Sequence, residues 1–169
     1  TAWQEVDEKM DYTHQWQLKE LKAGQTYVTK IYSRGLGQTK ISDSLFGKFA
    51  TPPARDAISE IKFCIVSCHD YNRRDDLKNG HKIYPSMTKL NPDFYVHTGD
   101  IEYMDKPTPY ALTEELARFK WNRIFSLPFQ RTFYNNHTSY FMKDDHDVGF
   151  DDSYPGKNYG RINFERGLE

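Results

Sequence analysis

Asn91-Pro92-Asp93-Phe94-Tyr95-Val96-His97-Thr98-Gly99-Asp100-Ile101-Glu102-Tyr103 is the stretch on which the fold turns. An apolar, β-prone run, Phe94-Tyr95-Val96, stops at Gly99-Asp100, and a tyrosine follows three residues later. A carboxylate just past the end of a buried strand is held rigidly and faces the crevice where open α/β sheets bind ligands. Two other runs end the same way. Ile61 to Ser67 leads into Cys68-His69-Asp70, and Ser139 to Met142 leads into Asp144-Asp145-His146-Asp147. Three strand-like runs that terminate in metal-ligand chemistry are the pattern of a metal-dependent hydrolase.

Around them the sequence alternates strand and helix. Strands are expected over 61–67, 93–98 and 139–143. A short helix is expected at 85–90, a longer one over 108–125 and a further piece near 128–135. Ala111, Leu112, Leu116, Phe119, Ala117, Trp121 and Ile124 recur at three- and four-residue steps and give the long helix its apolar face. Strands alternating with helices imply a mainly parallel sheet. Upstream the chain is different. His14–Leu18, Thr26–Tyr32 and Leu45–Phe49 are short β-prone runs separated by glycine-bearing turns. Leu21 to Tyr27 resembles the tyrosine-corner segment of immunoglobulin-like sandwiches. Only about three of the roughly seven strands of such a sandwich are present, and Pro52-Pro53 reads as a stiff linker.

Each acidic site also has a plain structural reading. Asp100 could cap a helix beside a surface Tyr103. The acidic cluster at 144–147 could be a solvated turn. Cys68 and Asp70 point the same way if the strand persists, and a thiolate suits iron or zinc, yet Cys68 could equally be a buried thiol. Cys64 has only that reading. His97, inside a strand, reads as a hydrogen-bonded sheet histidine. In an extended strand Cys64 and Cys68 lie about 13 Å apart, beyond disulfide reach.

The net charge of −1 gives no bulk attraction to nucleic acid or to an anionic membrane, so no sequence-specific nucleic-acid partner is expected. No apolar run is long enough to span a bilayer. Aromatic residues reach 15%, and 12 of them are tyrosines, which fits a polar, phosphate- or carbohydrate-facing surface. The chain opens at Thr1 without an initiator methionine, which reads as processing or truncation.

Cys68 after a strand, Gly99-Asp100-Ile101-Glu102-Tyr103 and Asp144-Asp145-His146-Asp147-Val148 together resemble the alkaline phosphatase D (PhoD-like) family of calcineurin-like metallophosphoesterases. The resemblance covers roughly residues 10–160. It implies an α/β metallophosphoesterase, part of a four-layer αββα arrangement, preceded by part of an immunoglobulin/fibronectin-like β-sandwich. Residues 1–53 would be the C-terminal part of the sandwich and residues 54–169 the N-terminal part of the catalytic domain. The implied reaction is hydrolysis of a phosphate mono- or diester by a metal-bound hydroxide, in a secreted or periplasmic enzyme. The implied centre is binuclear or trinuclear. Cys68 and Tyr103 would bind Fe(III), Asp100 would bridge it to Ca(II), and Asp145 would ligate the second ion, with zinc or manganese as alternative metals. His146 would stabilise the transition state or protonate the leaving group. The family completes this centre with histidines from later segments that have no counterpart here. The remaining half of the same enzyme is therefore expected to supply them.

Two rival readings stay open on the residues alone. A non-catalytic, calcium-binding extracellular interaction domain would use the same carboxylates with oxygen ligands only, and would have no use for the Cys68 thiolate or the Tyr103 phenolate. A glycan-binding module would use the many tyrosines and would ignore chelators.

Overall fold

The structure, a computed structural model, describes residues 2–168. The chain divides into two compact units, Thr1–Ser59 and Glu60–Glu169.

In the first unit β1 (Thr26–Ser33) and β2 (Asp43–Ala50) form an antiparallel ribbon, in register from Thr26 opposite Ala50 to Ser33 opposite Asp43. Tyr27 stacks on Phe49 across the ribbon at 5.5 Å. Its hydroxyl accepts a hydrogen bond from the Lys22 amide at 2.8 Å, a side-chain tether across the turn that the tyrosine-corner pattern predicts. The expected run at 14–18 is not a strand. β1 and β2 satisfy each other, and no third ladder partner for 14–18 exists among the described residues.

The second unit is built on three parallel strands, β3 (Phe63–Val66), β4 (Phe94–His97) and β5 (Thr138–Phe141), side by side in that order. Phe63 lies opposite Phe94, and Phe94 opposite Thr138. Side chains alternate across a strand, so Cys64, Val66 and Tyr95 share one face. That face packs on Tyr84 and Met87 of α1 (Ile83–Leu90) and on Phe133 of α3 (Pro128–Tyr134). Full burial of such side chains contributes about 1.5–3 kcal/mol each, and Tyr84, Tyr95 and Phe133 are all fully buried. The opposite face carries Phe63 stacked on Phe94 at 5.1 Å, Tyr140 edge-on to Phe94, and Ile65. There Phe63, Ile65 and Tyr140 are more than half exposed.

The long helix is shorter than its periodicity predicts. α2 spans Glu114–Ser126 rather than starting at 108. The Thr113 side chain accepts from the Leu116 amide, and Glu114 and Glu115 fill the first turn, both favourable at a helix N-terminus. Pro107 and Pro109 lack the amide that a helix interior uses. The apolar stripe is displaced as well. Leu112 and Phe119 are exposed, whereas Ile124 packs with Ile101 and Leu127 against Trp121 and Phe125. Lys120, a charged residue, is the α2 side chain with no exposure at all. Pro128 opens α3 at its first turn, where a missing amide costs nothing. After β5 come α4 (Asp145–Val148), a two-residue ribbon of β6 (Asn158–Tyr159) and β7 (Ile162–Asn163), and α5 (Phe164–Leu168).

Candidate metal centre

The carboxyl ends of the three strands form the site. β3 ends at Val66, one residue short of the expected 61–67 strand, so the strand does not persist to Cys68. Cys68 instead takes a left-handed conformation, φ 60°, and its amide donates to the Gly99 carbonyl at 3.2 Å. The His69 amide donates to the Asp100 carbonyl at 2.8 Å. The loops leaving β3 and β4 are thereby stitched together by their backbones. Asp100 is itself left-handed, φ 54°, a conformation that non-glycine residues adopt at a cost. Gly99 has φ 111°, and a Cβ there would lie 2.5 Å from the Cβ of Asp144. Only glycine lets the 144–147 segment approach this closely.

Asp100 is the centre of the cluster. Its Oδ2 accepts from the Tyr103 hydroxyl at 2.9 Å and from the Cys68 thiol at 3.5 Å. Its Oδ1 is buried and has no hydrogen-bond partner among the described residues. Single oxygen or nitrogen ligand atoms of Asp100, Asp145 and His146 all lie within 4.8 Å of one another. The Tyr103 and His146 rings are 4.3 Å apart. The structure thus gathers Cys68, Asp100, Tyr103, Asp145 and His146, and leaves Cys64 beneath the sheet, where burial pushes its thiol up. Both cysteines are free.

Burial, the hydrogen bond to Asp100 and that carboxylate's charge hold the Tyr103 phenol well above its usual range. The phenol therefore keeps its proton and donates it as a hydrogen bond to Asp100. A bound cation would favour the phenolate instead. A half-buried carboxylate with one bare oxygen, and with a phenol and a thiol donating to the other, suits a cation that accepts both oxygen and sulfur ligands.

His146 is gripped on both sides. Its Nδ1 is 2.9 Å from Asp105 Oδ1 and its Nε2 is 3.3 Å from Asp151 Oδ1. Asp105, five residues after Asp100, carried no sequence signal of its own. Asp147 is fully buried and bridges the two loops, taking the Glu102 amide on Oδ1 and the Asp144 amide on Oδ2. Burial raises its carboxyl to about 6.

Under the strand ends lies a histidine cluster that the sequence did not reveal. His97, buried in β4, meets Nδ1 of His69 at 2.6 Å through its Nε2, while its own Nδ1 accepts from the Gly99 amide. Those partners assign the Nε2–H tautomer to His97. His81 contacts the Asp70 carbonyl and the Gln130 amide group. His97 is thus the hydrogen-bonded sheet histidine its position predicts, but its partner is 28 residues away on the neighbouring strand's loop.

No protein-family model matches the sequence, and no curated protein sequence matches it. Among solved structures, one titled "Structure of PhoD" is similar, with a TM-score of 0.55 and 21% identity over 76% of this chain. That alignment covers 27% of the PhoD chain, so this chain spans about a quarter of it. At this identity the likeness is one of fold.

Proposed function

We propose that this chain carries part of a metal-dependent phosphoesterase, hydrolysing phosphate mono- or diesters. The observation that carries the reading is Asp100, a strained, half-buried carboxylate with one buried, bare oxygen and two acidic donors on the other. Cys68, Tyr103 and Asp100 would hold Fe(III), and Asp100 with Asp145 a second cation such as Ca(II), with zinc or manganese as alternatives. When bound, such ions neutralise developing charge on phosphorus and acidify a water. His146, oriented by Asp105, would face the phosphoryl oxygens and protonate or stabilise the leaving group. The thiol and phenol on Asp100 favour this reading over a calcium-binding interaction domain, which would use oxygen ligands without a thiolate.

The bare sheet face of Phe63, Ile65, Phe94 and Tyr140 fits the same reading. Parallel sheets are ordinarily covered on both faces, and a second sheet from further chain would complete a layered phosphoesterase and bring the remaining histidine ligands. Residues 1–53 would then be the end of a preceding sandwich domain, in a secreted or periplasmic protein.

The test is to titrate the full chain with iron and calcium, record its absorption, and measure turnover of chromogenic mono- and diesters. Tyrosinate ligation by Fe(III) gives a visible charge-transfer band that Tyr103→Phe abolishes. Absence of ion binding, or binding unaffected by Asp100→Asn, would overturn the proposal.

A further inference from the structure

Lys120 has no place in the chemistry just described, yet it is the α2 side chain turned wholly inward. Its ammonium has no solvent exposure. Nζ donates to the carbonyl oxygen of Tyr103 in a short contact, to that of Lys106 at 2.9 Å and to that of Met104 at 3.4 Å. An ammonium has three protons and no acceptor capacity, so three carbonyls of one loop exhaust its donors. Glu102 Oε1 lies 3.8 Å away and is also fully buried. One turn along α2, Arg123 completes the clasp. It bonds Glu102 Oε1 at 3.0 Å and donates to the Thr108 carbonyl. Glu102 in turn accepts from the Tyr103 amide at 3.2 Å, while its own amide is held by Asp147.

Those anchors all fall on residues 102–108. This loop presents the Tyr103 phenol to Asp100 and the Asp105 carboxylate to His146. The loop is irregular, and its carbonyls need donors when they leave water: that of Tyr103 also takes the Lys106 amide and that of Met104 the Ala111 amide and the Tyr159 hydroxyl, and Lys120 adds one side-chain cation that joins both to the carbonyl of Lys106. A hydrophobic residue at 120, which the helical periodicity would favour, could bury as much surface but could not fix those carbonyls.

From this geometry we infer that Lys120 is a positioning residue for the metal centre, an internal cation that fixes the loop bearing Tyr103 and Asp105. The inference rests on the phosphoesterase reading for what the loop is positioned to do, but the geometry it predicts is visible without any ion.

The experiment compares the full chain with Lys120→Met, which keeps the length and loses the donors. Lys120→Gln keeps an N–H donor and is the milder variant should methionine not fold. Met87→Ala, beneath the sheet and outside the site, serves as a control for lost stability alone. Two quantities are read: the His146 Nδ1–H proton resonance in ion-free protein, which the bond to Asp105 protects from exchange, and the affinity for calcium and for iron. The expected result is loss of the resonance and at least about a tenfold fall in affinity in Lys120→Met, a smaller fall in Lys120→Gln, and neither effect in Met87→Ala. Retention of resonance and affinity in Lys120→Met would overturn the inference and leave the phosphoesterase reading standing. Loss of the resonance in a chain whose wild type binds no ion would uphold the positioning role and sink the phosphoesterase reading. Failure of both Lys120 variants to fold would assign Lys120 to the fold rather than to the site, and would also overturn the inference.

Discussion

Acidification should loosen the second unit through its buried histidines, and His97 allows the size of the effect to be worked out. Burial pulls His97 down to about 4, and burial together with the neighbouring His97 and His81 pulls His69 down to about 3. Unfolded, each ring has its ordinary value near 6.5. Between those limits the unfolded chain binds protons that the folded chain refuses, so stability is complete above about pH 6.5 and falls as the pH drops toward 4. At about pH 5 each ring that stays neutral costs about 2 kcal/mol relative to neutral pH. The pair together costs about 4 kcal/mol, and His81 is shifted the same way by burial. Asp147 opposes this. Its carboxyl, raised to about 6 by burial, takes up a proton in the folded state and returns about 1.4 kcal/mol by about pH 5. The wild-type slope is therefore a sum of opposite signs, and a difference between variants is the cleaner measure.

His97→Gln can still accept from the Gly99 amide and donate to His69, but it does not titrate. It should lose about 2 kcal/mol less than wild type between about pH 7.5 and about pH 5. Urea unfolding at the two pH values measures this, followed by near-ultraviolet dichroism of the packed Tyr84, Tyr95 and Tyr134 rings. Equal acid sensitivity in the two proteins, within about 0.5 kcal/mol, would refute the claim that His97 stays neutral in the fold.

Asp100→Asn should bind ions at least about a hundredfold more weakly, yet melt higher without ions. It removes a half-buried charge whose buried oxygen is bare, worth about 1 kcal/mol, and asparagine tolerates the left-handed backbone; calorimetric melting with and without ion checks both halves. Thiol labelling of Cys68, which is exposed, should slow on ion addition, while Cys64 stays slow throughout; unchanged Cys68 labelling would remove it from the ligand set. His146→Ala should lower kcat by about 10²–10⁴-fold with ion content nearly intact, and Asp105→Asn should shift the same way by a smaller factor. Loss of ion in step with activity in His146→Ala would make His146 a ligand instead.

The residues around Asp100 were legible because their signal is local. A strand that ends in glycine and a carboxylate, with a phenol three residues on, sets a short-range geometry that the chain reproduces. The strands and their parallel pairing followed from strands alternating with helices, although the start of α2 did not. Periodicity alone extended that helix back to 108, whereas the Thr113 cap and the two prolines decide where it begins. What stayed hidden was long-range pairing. His97 with His69, Asp105 with His146 and Lys120 with Tyr103 join residues 17 to 41 positions apart, and no spacing rule marks them. Lys120 was worse than invisible, because a charge on a helix reads as a solvated face.

These hidden pairs share a physical logic that bears on the site itself. Irregular loops at the strand ends place a carboxylate, a phenol and a thiol together. Such an arrangement would relax unless something else resisted the strain at Cys68 and Asp100. Each loop is tied down by polar groups taken out of water. The first two are tied by the neutral His69–His97 bond and by backbone bonds across Gly99. The 102–108 loop is held by Lys120 and Arg123 through Glu102, and the 144–147 segment by Asp147. Buried polar groups of this kind add little to stability on balance, but an unpaired one is costly. They penalise every alternative arrangement of the loops more than they favour this one, which is the property an ion site needs if Asp100 is to keep one oxygen bare.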